Sequence, residues 1–189
     1  HKWSATSDYI LEIYSALNGV NFAATNMLQF DPTPQQDAEA RFCRALSMFW
    51  LLDFYNQVPY RDPGESVIAE SRVRKGLEAF DYIISEIEAV YDNLPDELSL
   101  DNKDAAKVLL IKCYLNKGVY ANRAAPTFDP ADMNMVISLA DDIINPGKYQ
   151  FSANYFDNFG PENTTLGLEN IWTQLNVGGG ATPSNFIFY

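Results

Sequence analysis

The chain has 189 residues, enough for one medium domain with a sizeable core, and 47% of them are apolar, which excludes a disordered tail. The formal net charge of -12 argues against nucleic acid or an anionic lipid surface as a partner, because both require clustered Lys and Arg. The single His is residue 1, and Cys43 and Cys113 have no close-spaced Cys or His neighbours, so no zinc motif, His-based catalytic centre or cofactor is expected.

Five helices are predicted, in chain order. The first covers residues 7–27, with Tyr14, Leu17, Asn18, Asn21 and Thr25 on one stripe at spacings of three and four. Asn21 reads as a buried hydrogen-bonding residue. The second starts after Pro34, a residue suited to a helix start, and buries Phe42, Ala45, Phe49 and Leu52 on one face. Leu46, Met48 and Trp50 carry the apolar surface further round, so this helix is expected to lie between neighbours with Trp50 in the core. Arg41 and Arg44 read as ion-pair partners of nearby helix acids such as Glu39.

The third helix follows "SRVRKGLEAF", with the stripe Leu77, Phe80, Ile84, Ile87, Tyr91 and Leu94, and Pro95 stops it. Glu78, Asp81, Glu88 and Asp92 fall on outer faces. The fourth is predicted over 104–117. Ala105 and Ala106 allow a close neighbour, Leu109, Leu110, Cys113 and Tyr114 fill the core, and Gly118 reads as the C-terminal signal. Both cysteines thus read as buried thiols inside helices. The fifth covers 131–144, with Val136, Leu139, Ala140, Ile143 and Ile144 inward, and Pro146-Gly147 ends it. Beyond it, "KYQFSANYFDNF" and "LENIWTQLNV" are rich in aromatic and β-branched residues and read as short strands or extended segments. "GGGATPS" reads as a flexible loop without a phosphate-binding pattern.

The fold class expected is mainly α, a tetratricopeptide-like α-α superhelix with short extended or strand segments at its C-terminal end. Residues 1–147 read as the helical-repeat domain and 148–189 as the truncated start of a mixed loop and strand portion that binds ligand. The start at His1 and the stop within "NFIFY" read as cut ends.

One stretch is more specific. "AEARFCRALSMFWLLDFYNQVPY", residues 38–60, resembles the signature helix of the SusD/RagB family, which typically runs Ala-Glu-Ala-Arg-Phe, an apolar residue, Arg-Ala-Leu, then an aromatic run closing in Gly-x-Val-Pro. Ala38 to Leu46 match almost position by position and Val58-Pro59 closes the pattern. The usual Gly is replaced at the turn by Asn56-Gln57, and Asn tolerates a left-handed backbone. "IYSALNGVN", "SRVRKGLEAFDYIISEIEAVYDNLP", "AAKVLLIKCYLNKG", "VISLADDIINPGKYQF" and "ENIWTQLNV" resemble the family's other segments in the family's order.

The resemblance implies a lipid-anchored protein on the outer-membrane surface of Bacteroidetes that lies as a lid over a SusC-like TonB-dependent transporter. It implies a binder of oligosaccharides, polysaccharides or sometimes peptides, not an enzyme. The membrane would be met only through a lipid anchor absent from this stretch. The contrasting reading is a helical-repeat scaffold that binds a protein or peptide and has no sugar affinity. Sugar recognition needs flat aromatic faces together with amides and carboxylates. On that ground the candidate ligand contacts are Trp3, Trp172, Asn176 and Tyr189, and Asn185 also flanks the glycine loop. Ordinary roles stand beside each: packing of a helix end for Trp3, a buried strand position for Trp172, and loop positions for the others.

Overall fold

The computed structural model describes residues 7–97 and 102–173. Helix α1 spans Asp8–Met27, α2 Pro34–Tyr55, α3 Gly76–Glu88, α4 Lys103–Ala121 and α5 Pro130–Ile144. Each packs against the next, and α2 also touches α4. The predicted central strut is therefore real, with neighbours on three sides.

Local chemistry explains where α2 begins and ends. The Thr33 hydroxyl accepts from Gln36 N–H (3.3 Å) and the Gln36 side-chain oxygen accepts from Thr33 N–H (3.0 Å), a reciprocal capping box followed by Pro34. The helix closes at Asn56, left-handed at φ 56° as the missing Gly required. Between these ends Phe42, Ala45, Met48, Phe49, Leu51 and Leu52 are buried against Phe80, Ile83, Ile84 and Ile87 of α3 and Ala106, Leu109, Leu110 and Cys113 of α4. Each large side chain so buried contributes about 1.5–3 kcal/mol. Burial also pushes the Cys113 thiol up to about 12, whereas Cys43 is only half-buried.

The core contains one charged cluster. Arg44 and Glu86 are both buried and pair through Arg44 Nε (2.7 Å) and Nη2. Arg41 bridges Asp37 and Glu86 at 3.0 Å each. The partner is thus not Glu39, which accepts from Gln35 Nε2 instead (2.7 Å). Residues two apart on a helix do not face each other, so Glu39 could not meet Arg41.

Several boundaries differ from expectation. Helix α3 ends at Glu88, and the 3-10 turn Tyr91–Asn93 carries Leu94 into the core before Pro95. Leu77 is exposed, because Ala79 and Ile83 share the inner face with Phe80, Ile84 and Ile87. Helix α4 runs straight through Gly118. A Cβ there would stand 1.9 Å from the Thr127 carbonyl oxygen, so this glycine admits the α4–α5 loop rather than ending the helix. In α5, Ile143 is buried but Ile144 is exposed, and among the described residues the main contact of that helix is with α4.

A short antiparallel ribbon was not foreseen. Strand β1, Val58–Tyr60, pairs with β2, Arg72–Arg74, in the register Val58 to Arg74 and Tyr60 to Arg72. Among the described residues after α5 there is no strand. Residues 148–154 run irregularly into a 3-10 turn, Tyr155–Asn158, and the short helix α6, Asn163–Leu166. The aromatic side chains of this stretch find no facing sheet to pack on, and Phe151 is 93% exposed.

Candidate functional site

The stretch from Lys148 to Trp172 is held onto the N-terminal end of α4 by polar tethers. Asn102, fully buried, accepts from Ala105 N–H (2.8 Å) and donates its amide to the Ile171 carbonyl (2.8 Å), so the cap of α4 also seats the residue before Trp172. Asp104 accepts from Lys148 Nζ (2.8 Å) and from the Tyr149 hydroxyl (2.9 Å). Burial raises the Asp104 carboxyl, and the bonds from Lys148 and Tyr149 outweigh it, holding the group below the usual carboxylate range. Lys148 Nζ also reaches the Asp96 carbonyl (2.7 Å).

Within the stretch Glu169 is the hub. It accepts from Ser152 N–H (3.0 Å) and Asn158 Nδ2 (2.9 Å), and those bonds keep its carboxyl below the ordinary glutamate range. Around it project Phe151, Tyr155, Phe156 and Phe159, each at least 68% exposed. Tyr155 meets Phe156 and Phe159 with ring centroids 5.5 and 5.2 Å apart. The result is an aromatic surface interleaved with amide and carboxylate groups.

Trp172 is 49% exposed, not a buried strand residue. It closes an apolar hollow of about 150 Å³ together with Ile171, with Leu46 and Trp50 of α2, and with Val108 and Lys112 of α4. Trp50 is accordingly half-buried rather than wholly in the core. Its ring stacks on the exposed Phe54 at 5.2 Å and lies 5.6 Å from Lys112 Nζ. The two indoles thus share one hollow although 122 residues separate them in the numbering. Trp3, Asn176, Tyr189 and Asn185 lie outside the described residues.

Two positions escaped sequence reasoning. Glu86 sits in a helix whose other acids are solvated, and nothing local marks it as buried. Asn102 carried one usable signal, an N-capping residue before a helical pattern, but not its reach to Ile171.

Consecutive packed helices with an aromatic C-terminal stretch seated on α4 define a mainly helical architecture, and comparison with known proteins narrows it. The chain is 33% identical over 95 residues to the starch-binding protein SusD of Bacteroides thetaiotaomicron, a match that takes in 48% of this chain and 17% of that protein. A SusD-like carbohydrate binding protein from Bacteroides fragilis has the same fold over 87% of this chain and 32% of its own, with a TM-score of 0.64 at 20% identity. A SusD superfamily protein from Bacteroides thetaiotaomicron follows with a TM-score of 0.52 at 17% identity, over 78% of this chain and 34% of its own. No family model matches the chain. The chain therefore spans about a third of the solved relatives and about a sixth of the curated one. The chain is thus similar in sequence to SusD over those 95 residues and shares the helical fold of the SusD-like structures.

Proposed function

We propose that this chain is the helical part of a glycan-binding surface subunit in a TonB-dependent nutrient uptake system of the outer membrane. In this reading the subunit is lipid-anchored, lies against a SusC-like transporter, and delivers oligosaccharides or polysaccharides without catalysing their cleavage. Residues 1–147 form the scaffold, and 148–189 begin the ligand-binding portion. The observation that carries the reading is the aromatic surface from Phe151 to Trp172, fixed on α4 and interleaved with Asn154, Asn158 and Glu169. Rings stack on the apolar face of a pyranose while amides and carboxylates take its hydroxyls. Trp3, Asn176 and Tyr189 are proposed as further contacts.

The test is affinity gel electrophoresis of the intact parent protein through plant, host and microbial polysaccharides, with Trp172→Ala beside it. Retardation by a glycan is expected, and its apparent affinity is expected to fall about fivefold or more in the variant, as loss of roughly 1 kcal/mol of ring contact would give. Absence of retardation by every polysaccharide would overturn the reading in favour of a protein or peptide ligand.

A further inference from the structure

A second polar cleft lies between α1 and the β1–β2 loop. Asn18, Asn21, Phe22, Tyr60, Arg61 and Ser71 border a hollow of about 180 Å³. Phe22, Thr25 and Arg61 also border an adjoining hollow of about 80 Å³. The larger hollow has room for roughly six waters, or for one monosaccharide-sized group in their place.

The groups around it are fixed before any ligand arrives. Asn18 Nδ2 donates to the Tyr14 carbonyl (2.8 Å), and Asn21 Nδ2 donates to the Pro59 carbonyl (2.9 Å), so both amide planes are set by backbone. Arg44 Nη1 occupies the Thr25 hydroxyl oxygen (3.5 Å), which leaves the hydroxyl hydrogen free to rotate toward another acceptor. Phe22 presents a half-exposed ring.

Arg61 is the anomaly. Its Nη2 donates to the Ala69 carbonyl, which holds the guanidinium in place. Its Nε is buried and has no hydrogen-bond partner. A buried donor left unmade costs about 1–3 kcal/mol, more when it is charged. The neighbouring Arg74 also has an unbonded buried nitrogen, but its guanidinium is sandwiched between Tyr60 and Tyr82, 3.3 and 3.7 Å from their ring centroids, and the π faces compensate it. No ring is recorded over Arg61 among the described residues. Asp62 and Glu65, which border the adjoining hollow with Arg61, each turn an oxygen to Arg72 Nη2 at 2.7 Å. Among the described residues Arg61 makes no ion pair. In a chain of net charge -12, a guanidinium with no ion pair among the described residues, held at a cleft of amides, hydroxyls and two rings, is unusual.

We propose that this cleft binds a small sugar acid, with the carboxylate on Arg61 and the hydroxylated ring against Asn18, Asn21 and Phe22. The site lies on elements other than those of the aromatic surface and does not depend on that surface binding glycan. A neutral sugar would leave the guanidinium unanswered, whereas a carboxylate supplies a charge-assisted bond.

The test is isothermal titration calorimetry on the intact parent protein with sodium glucuronate and galacturonate, against glucose and galactose at the same ionic strength. Saturable binding of a uronate is expected, with the matching neutral sugar at least about tenfold weaker. Arg61→Gln is expected to weaken uronate binding about tenfold or more, whereas Lys75→Gln, the same charge change at an exposed position outside the cleft, leaves it unchanged. Phe22→Ala removes a half-exposed ring, is expected to preserve the fold, and is expected to weaken binding as well. Nuclear magnetic resonance of the Asn21 side-chain amide gives a local readout, with a shift on uronate addition expected. Absence of saturable uronate binding would overturn the proposal. So would equal affinity for acid and neutral sugar, or equal losses in the Arg61 and Lys75 variants.

Discussion

Residues 8–144 and residues 148–173 are held in place by different forces. The helices bury a continuous apolar core around α2, with an ion pair of Arg44 and Glu86 sealed inside it. The C-terminal stretch has no fully buried side chain among those described, and it stays on α4 through Asn102, Asp104 and the Glu169 hub. Hydrophobic burial makes a rigid support, while polar tethers let aromatic rings remain in solvent where a ligand can reach them. The division of labour places the apolar core in the first region and the exposed aromatic surface in the second.

The contrast is broken first by a matched pair of phenylalanines. Phe49→Ala, in the centre of α2, is expected to cost about 3–5 kcal/mol in chemical denaturation. Phe156→Ala, 72% exposed, is expected to change stability by no more than about 0.5 kcal/mol. Similar losses at both positions would mean that the C-terminal stretch is packed rather than tethered.

Gly118→Ala tests the helical region at its tightest contact. An alanine inside a helix ordinarily adds up to about 1 kcal/mol. Here the new methyl meets the Thr127 carbonyl, so a loss of about 1–3 kcal/mol is expected instead. A gain in melting temperature would show that the α4–α5 loop yields freely.

The smallest effect comes from the tether. Asp104→Asn is expected to lower global stability by less than about 1 kcal/mol, because the Lys148 end of the pair is open to solvent and screened. It should nevertheless raise hydrogen exchange at residues 148–150. The folded carboxyl titrates below its unfolded value of about 4. Its contribution is therefore complete above about pH 4 and is lost as pH falls through the depressed folded value. In the wild type, exchange at these amides should rise on acidification through that window. In Asp104→Asn it should be high throughout.

Sequence patterning revealed the helices most clearly where several signals agreed. For α2 the Pro34 start, the apolar spacing of Phe42, Ala45, Phe49 and Leu52, and Asn56 in place of a glycine all pointed the same way. Where one local signal had two physical causes, reading it alone misled. A glycine late in a helix serves as a terminator or as room for a crossing chain, and Gly118 is the second. Aromatic richness after Gly147 matched a strand, but a strand needs a partner, and the described residues provide none. Glu86 escaped notice because its partners lie 42 and 45 positions away. At the candidate site, the hollow that Trp172 closes is assembled from α2 and α4, and no spacing within one segment could disclose it.

Arg123, in the loop after α4, donates to the Asn56 side chain (3.1 Å) and to the Leu52 and Asp53 carbonyls (2.7 and 3.2 Å). The carbonyls of Leu52 and Asp53 near the end of α2 are therefore satisfied by a residue 71 and 70 positions later. On a ribosome adding about 5–20 residues per second, several seconds separate the emergence of those carbonyls from that of the arginine that caps them. Until then the strut of the fold has an open end, and its final turn is the part of the helix that waits for the rest of the chain.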